Sequence, residues 1–128
     1  MLGSDSAERP PRLWGRFGRP APPLTDRHRR LRAVIESAVA PAFAVPYVAL
    51  WAGTRGSPAE ALARQSAMYL AHVGLGLTFT DVARLFARDR TTVAHACARI
   101  EDRRDAAPFD RALDLLEGAL RLVSQRQP

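Results

Sequence analysis

Two short apolar runs, separated by a three-residue connection, constrain the fold of this chain more than any other feature. The apolar residues of the runs are Val82, Ala83, Leu85 and Phe86, then Val93, Ala96, Cys97 and Ile100. Their spacing places each set on one face of a helix. Asp89, at the end of the connection, suits the N-cap position, because its carboxylate can accept from the backbone N–H of Thr91 or Thr92. The pattern predicts a helix-turn-helix.

The residues that open the second helix are polar and carry the functional prediction. Arg90, Thr91 and Thr92 follow Asp89 directly. The second helix of a helix-turn-helix places its N-terminal side chains against base edges in the major groove of double-stranded DNA. We therefore expect these three residues to read bases, with Asp89 able to accept from a base amine. Arg90 favours guanine, since a guanidinium can bind O6 and N7 together.

The same stretch resembles a known family. The sequence Arg88-Asp89-Arg90-Thr91-Thr92-Val93, followed by His95-Ala96-Cys97, is similar to the signature of the C-terminal DNA-binding domain of the bacterial replication initiator DnaA. Flanking matches, with weaker similarity from about Leu31 to Leu122, extend the resemblance; they are Ala63-Arg64-Gln65, Ala67-Met68 and Ile100-Glu101. The family usually carries a histidine where this chain has Arg90, and a turn one residue longer that contains glycine.

The resemblance implies DNA-backbone contacts away from the recognition helix's first residues. It implies phosphate contacts for Arg64 and Gln65, and for His95, which could equally be a solvated helix position. Arg88 is expected to hold a phosphate as well. Arg55 stands alone where the family has a dense basic loop, and it could enter the minor groove. Neither Arg64 nor Arg90 belongs to the expected core.

Charge is distributed as a polyanion-binding protein requires. The net charge is +6, and every one of the 19 basic residues is an arginine. Residues 1–32 carry +5 and residues 54–104 carry +3, whereas residues 33–53 and 105–128 carry −1 each. The positive charge thus coincides with the N-terminal segment and the predicted helix-turn-helix, which favours nucleic acid as the partner.

The N-terminal segment differs in composition from the rest. Residues 1–25 hold five of the ten prolines and four arginines, with no periodic apolar pattern. Such a segment is expected to be a disordered basic tail, with the folded domain covering residues 26–128. Trp14 and Phe17 are unusual in it. They either dock a protein partner or fold back onto the domain, and the sequence leaves both open.

The domain itself is predicted to be an all-α bundle of about six helices. The first helix is predicted to run from Asp26 to Ala40, where Pro41 should stop it. A later helix should begin at Ser57-Pro58-Ala59-Glu60, which is a capping box with proline at the first helical position. Aromatic residues should supply much of the core of these alanine-rich helices; they are Phe43, Tyr47 and Trp51. A final helix should brace the bundle through Phe109, Leu113, Leu116, Leu120 and Val123.

No set of residues indicates catalysis, and we expect no enzyme activity. His28, His72 and His95 lie far apart without partners at metal-ligand spacing, and Cys97 falls on an apolar helix face, so neither metal nor cofactor is expected. The chain has no lysine and no Gly-rich phosphate loop, which argues against nucleotide binding. No apolar run approaches the roughly 20 residues of a membrane span. The N-terminus has no apolar stretch of the kind found in signal peptides. We therefore expect a cytoplasmic, nucleoid-associated protein.

Three functions remain after this exclusion. The first is a transcriptional regulator that binds specific sites in double-stranded DNA. The second is a modulator of replication initiation that competes for initiator sites. The third is a protein-interaction adaptor, in which the helix-turn-helix is a scaffold and Trp14 and Phe17 dock the partner.

Overall fold

Residues 23–125 fold into six α-helices, as the sequence predicts. A computed structural model describes residues 23–125, and within this range there is no β-strand. The helices are α1 (Asp26–Ala42), α2 (Tyr47–Trp51), α3 (Pro58–Val73), α4 (Phe79–Phe86), α5 (Arg90–Arg103) and α6 (Ala107–Gln125). Most of the expected tail lies outside the described residues, as do Trp14 and Phe17.

Side-chain caps set the starts of three helices. Thr25 and Ser57 form complete capping boxes with His28 and Glu60, at the starts of α1 and α3. Thr78 accepts a hydrogen bond of 3.1 Å from the backbone N–H of Asp81 at the start of α4. Each cap satisfies backbone donors that a helix N-terminus otherwise leaves unpaired. These local signals are why the sequence places the helix starts correctly.

Pro41 does not end the first helix, contrary to the sequence prediction. Helix α1 continues to Ala42, with Pro41 in its last turn. Proline removes only its own N–H, whose partner would have been the carbonyl of the exposed Ser37, where water can replace it. The chain reverses after Phe43, at Ala44, which adopts a positive φ of 55°.

Helix α3 lies at the centre of the bundle and contacts all five other helices. Ala63, Ala67 and Ala71 are completely buried along it, so neighbouring helices can approach closely. Around this helix the largest fully buried side chains fill the core; they are Phe86, Ile35, Leu50, Leu70, Ile100, Leu113 and Leu120. The packing fixes α4 and α5, the helix-turn-helix, against α3.

The aromatic residues of α2 are divided between core and surface. Trp51 packs against Phe86 with ring centroids 4.5 Å apart, and its indole donates to Glu36. Phe43 is half-buried against the core, but Tyr47 is 57% exposed, so its predicted core position is wrong. A helix of only five residues has one face to bury, and Leu50 with Trp51 occupies that face.

Helix α6 closes the bundle against α1 and α3. Leu113 and Leu120 are buried, and Phe109 and Leu116 are half-buried, as the pattern predicts. Val123 is 43% exposed and is not part of the core. The bracing role of α6 therefore rests on its first four predicted contacts.

Candidate nucleic-acid interface

The connection between α4 and α5 has the three residues that the sequence predicts. Ala87 closes α4 in the left-handed region, at φ 52° and ψ 50°. Beyond it, the backbone N–H of Arg88 donates to the carbonyl of Ala83 at 2.9 Å. The left-handed residue turns the chain sharply enough for α5 to pack across α4.

Asp89 occupies the N-cap position of α5 but does not cap it with its side chain. Its backbone is extended, and its carbonyl accepts from the N–H of Val93 at 3.1 Å. The predicted hydrogen bond from Thr91 or Thr92 to the carboxylate is not formed, and that prediction is wrong. The helix begins with the backbone bond from Val93 to the carbonyl of Asp89, and the negative charge of Asp89 is favourable near a helix N-terminus.

The predicted base-reading residues lie at an accessible end of α5. Arg90, Thr91 and Thr92 are exposed, whereas Val93 is completely buried beneath them. Asp89 is half-buried beside them. The first turn of the helix therefore presents side chains outward while its following residue anchors it in the core.

A cleft of about 270 Å³ lies beside this end, between α3, α5 and the segment after α2. It brings together all five residues predicted to contact the DNA backbone or minor groove: Arg55, Arg64, Gln65, Arg88 and His95. Thr92 and Arg99 complete its polar lining, and no carboxylate lines it among the residues that the structure describes. Four guanidinium groups around one cleft give it a positive potential, which favours an anionic ligand.

Arg64 is a buried member of this cleft, and its predicted position outside the core is wrong. Its side chain is 6% exposed. Nε and Nη2 donate to the carbonyl of Ala49 at 3.1 and 2.7 Å, and Nη1 donates to that of Arg55 at 3.1 Å. Burial lowers the pKa of Arg64, nearby Arg88 lowers it further, and Glu60 opposes both. Arg64 therefore fixes the segment that carries Arg55.

Arg88 also donates hydrogen bonds to backbone carbonyls of the protein. Its Nη1 donates to the carbonyl of Phe86 at 3.0 Å, and its Nη2 donates to that of Ala52. The guanidinium thus ties the helix-turn-helix connection to the segment after α2. Its charge faces the cleft, but its position is set by carbonyls.

Arg99 is a residue that the sequence reasoning missed. It is exposed on α5 and lines the cleft with Thr92 and His95. Positions 92, 95 and 99 are three and four residues apart, so they share one helix face. That spacing is visible in the sequence, but Arg99 lies beyond the family signature, which ends at Cys97.

The opposite end of α5 is held by an ion-pair network. Arg104, just after the helix, donates from Nε to Asp110 at 2.5 Å and from Nη2 to Asp114. Its Nη1 lies 3.1 Å from the Tyr69 hydroxyl and 3.5 Å from Glu117. Burial alone would lower the pKa of Arg104, but hydrogen bonds to Asp110, Tyr69 and Asp114 outweigh it and raise the pKa above its usual value.

Tyr69 extends this network to α5 itself. Its hydroxyl donates to Glu101 at 2.9 Å. Burial raises the pKa of Tyr69, and the bond to Glu101 raises it further, although Arg104 acts in the opposite direction. Helices α3, α5 and α6 are therefore connected through one polar cluster on the side of α5 remote from Arg90.

Cys97 lies inside the interface between α5 and its neighbours, as predicted. It is a free thiol, 8% exposed. Burial, with a smaller contribution from Glu101, raises the pKa of Cys97 to about 11. The thiol is therefore protonated at neutral pH and behaves as a small apolar side chain.

Comparison with known proteins decides the family. The family model described as the bacterial dnaA protein helix-turn-helix matches residues 33–100, more than half of the 128-residue chain. The chain belongs to this family. The match covers most of α1, all of α2, α3 and α4, and α5 as far as Ile100. Membership places a DNA-binding helix-turn-helix in this chain, and it confirms the resemblance found in the sequence.

A solved structure agrees with this assignment. The crystal structure of a DNA replication initiation factor is similar to this DnaA-family chain, with a TM-score of 0.66 and 28% sequence identity. The similarity covers 74% of this chain and 29% of that one. The chain therefore corresponds to less than a third of the length of that protein.

Within residues 23–125, no group of three or more His, Cys, Asp or Glu side chains is arranged to hold a metal ion. None of the helices in that range is long and apolar enough to cross a membrane.

Proposed function

We propose that this DnaA-family chain binds specific sites in double-stranded DNA by placing the N-terminal end of α5 in the major groove. The observation that carries the proposal is that the exposed start of α5 lies next to the arginine-lined cleft. Exposed Arg90, Thr91 and Thr92 adjoin a cleft lined by four arginines and no carboxylate among the described residues. Base contacts supply specificity and backbone contacts supply position, so an interface of this kind needs both.

The backbone contacts divide into two groups. Gln65, His95 and Arg99 are the cleft residues best able to bind phosphates. His95 and Arg99 are exposed, Gln65 is partly exposed, and within residues 23–125 none of the three donates to backbone carbonyls as Arg64 does. Arg64 and Arg88 add positive charge while their hydrogen bonds hold the local backbone. Arg55 is exposed on the segment that Arg64 fixes, where it would reach the adjacent minor groove.

The cellular role that we favour is transcriptional regulation. A helix-turn-helix domain that occupies a specific site can exclude or recruit other proteins there without catalysis. Family membership, and the similarity to a replication initiation factor, support the second candidate, in which the chain competes for initiator sites. An adaptor role through Trp14 and Phe17 has no comparable support, since both lie outside the described residues.

Selection of bound duplexes from a random pool tests the proposal. The full chain should select a defined motif, and Arg90→Ala should lose preference at one base pair, most simply a G·C, because a bidentate contact is worth about 1–3 kcal/mol of discrimination. Gln65→Ala is the control: it should weaken all sequences alike and leave the motif unchanged. A pool that shows no enrichment, or a motif unaltered by Arg90→Ala, would contradict the proposal.

Mapping of the bound sites in cells separates the two roles. Binding upstream of several genes, with expression changes on deletion, supports a regulator. Binding confined to the replication origin, with altered initiation timing, supports a modulator of replication.

A further inference from the structure

The arginine-lined cleft has a floor as well as a rim. The floor is formed by Arg64, which is only 6% exposed, and half-buried Arg88. The rim consists of the exposed residues of the lining, Arg55, Thr92, His95 and Arg99. The cleft holds about 270 Å³, and B-DNA, whose major groove alone is about 12 Å wide, is too large to enter it. The backbone of a bound duplex therefore meets the rim and leaves the floor to a smaller ligand.

The two floor residues keep hydrogen-bond donors that the protein itself does not use. A guanidinium has five N–H groups. Arg64 donates three of them to the carbonyls of Ala49 and Arg55. Arg88 donates at most three, to carbonyls at the end of α4 and after α2. Each floor residue therefore has at least two N–H groups without an acceptor among residues 23–125. Donors held in place within a cleft suit an anion that accepts from several of them at once.

The positive charges of the cleft repel one another. Burial lowers the pKa of Arg64, Arg88 lowers it further, and Glu60 acts in the opposite direction. Arg55 and Arg99 bring the lining to four guanidinium groups, with no carboxylate in it among the described residues. Each phosphate of DNA brings one negative charge, and a strand has one per 3.4 Å of helix axis. A chain of linked phosphates brings several negative charges into one small volume, and so matches the cleft better.

We propose that the cleft binds a short chain of linked phosphates, such as tripolyphosphate, and that this ligand competes with DNA. One phosphate group accepts from the unused N–H groups of Arg64 and Arg88, which leaves the others to the rim arginines, Arg55 and Arg99. Arginine suits this role, since its planar donors bind phosphate oxygens in pairs. No Gly-rich loop is required, because side chains rather than backbone N–H groups hold the phosphates.

The competition with DNA rests on the proposed function. His95 and Arg99 bind DNA phosphates in that proposal, and they also form part of the rim through which a chain of phosphates enters. Both ligands need the same side chains, so the binding of one lowers the affinity for the other. The cleft would then make DNA binding respond to the concentration of a phosphorylated compound.

Isothermal titration calorimetry of the full chain with sodium tripolyphosphate tests the site without DNA, at one ionic strength. One saturable site is expected. Arg88→Gln should weaken binding about tenfold or more, because it removes charge-assisted hydrogen bonds. Arg99→Ala should weaken it by a similar factor. Arg99 is exposed and holds no backbone carbonyl among residues 23–125, so this variant decides the matter if circular dichroism shows that Arg88→Gln does not fold. Arg103→Ala removes the same charge from an exposed position outside the cleft lining, and should bind normally.

Two further ligands complete the calorimetry. Sulfate is a single tetrahedral anion and should bind at least about tenfold more weakly than tripolyphosphate. The proposal is overturned if sulfate binds equally well, if no saturable binding occurs, or if Arg99→Ala and Arg103→Ala have equal effects. Adenosine triphosphate carries the same chain of phosphates on a nucleoside. Tighter binding of adenosine triphosphate assigns the site to nucleotides, and equal or weaker binding assigns it to the free chain; both results support a site for linked phosphates.

Displacement of a selected duplex, followed by fluorescence anisotropy, tests the competition. Tripolyphosphate should release the duplex from the unaltered chain at concentrations near its calorimetric Kd, whereas sulfate at equal ionic strength should not. Retention of the duplex by a chain saturated with tripolyphosphate would overturn the competition. If the chain binds no duplex even without tripolyphosphate, the proposed function fails and the competition fails with it, while the calorimetric result for the cleft is unaffected.

Discussion

The two ends of α5 are built in opposite ways. At the start, Arg90 and its neighbours are exposed, and the helix begins with no side-chain cap from Asp89. At the far end, Arg104 is 14% exposed in its side chain and is surrounded by Asp110, Asp114 and Glu117. One end exposes its side chains to solvent, and the other uses its donors to join helices. A helix anchored at one end can expose side chains at the other without losing its position.

The first prediction removes the anchor and should have the largest effect. Arg104→Ala leaves three carboxylates and the Tyr69 hydroxyl without their cation, which should lower the free energy of unfolding by about 3 kcal/mol. Urea unfolding followed by circular dichroism measures this loss. Arg111→Ala removes the same charge from an exposed position on α6 and should change little. Equal effects from the two variants would show that the network does not anchor α5.

The second prediction concerns the buried arginine of the cleft. Arg64→Ala leaves the carbonyls of Ala49 and Arg55 without their donors, at a cost of about 2 kcal/mol. DNA affinity should fall as well, because Arg55 loses its fixed position. Its neighbour Gln65 is the matched control: Gln65→Ala should reduce DNA affinity with normal unfolding. If Arg64→Ala were as stable as the unaltered chain, Arg64 would act on DNA alone, as the sequence suggested.

The third prediction compares two arginines of α5 by salt dependence. Arg99 lines the cleft, whereas Arg103 is exposed near the anchored end, outside the cleft lining. If the unaltered chain neutralises about 4–6 phosphates, log K falls with log salt at about −0.9 per phosphate. Arg99→Ala should make that slope shallower by about one unit, and Arg103→Ala should not. Fluorescence anisotropy titrations over a range of salt concentrations measure both slopes. The reverse result would move the DNA surface to the other end of the helix.

The fourth prediction has the smallest expected effect and concerns Cys97. Its pKa is raised from 9.0 to about 11 by burial, so below pH 8 the folded and unfolded chains both hold the proton. As the pH rises from 8 to 10 the unfolded chain releases it first, which should lower the free energy of unfolding by about 1 kcal/mol. Burial raises the pKa of Tyr69 as well, so the test is a difference: Cys97→Ala should lack the part of the alkaline loss that the thiol causes. Identical pH profiles for the two proteins would show that the thiol is not protected.

The sequence predicted the helix-turn-helix well because the signals are local. The apolar spacing around Val93 and the capping box at Ser57 each depend on a few neighbouring residues. The resemblance implied backbone contacts for Arg64, Gln65 and His95, and the structure brings them together with Arg55 and Arg88 around one cleft. Their contacts with DNA remain predictions.

The arginines show why the rest could not be predicted. Arg64, Arg88 and Arg90 look alike in sequence, yet the first two donate to carbonyls, some of them far away along the chain. Those acceptors become available only when α2 ends at Trp51 and the following segment crosses α3. The core position predicted for Tyr47 was wrong because the sequence does not reveal which face of a five-residue helix is buried. Long-range acceptors and helix orientation are tertiary information.

The bond from Arg88 to Ala52, together with that from Arg64 to Arg55, has a consequence for the duplex rather than for the protein. These bonds hold the Arg55 segment and the start of α5 rigidly together, so the separation between Arg55 and Arg90 is fixed. A duplex that engages both must adjust its own groove width and bend to match. Base pairs between the two contacts would then be chosen by how easily they deform, although no side chain reaches them.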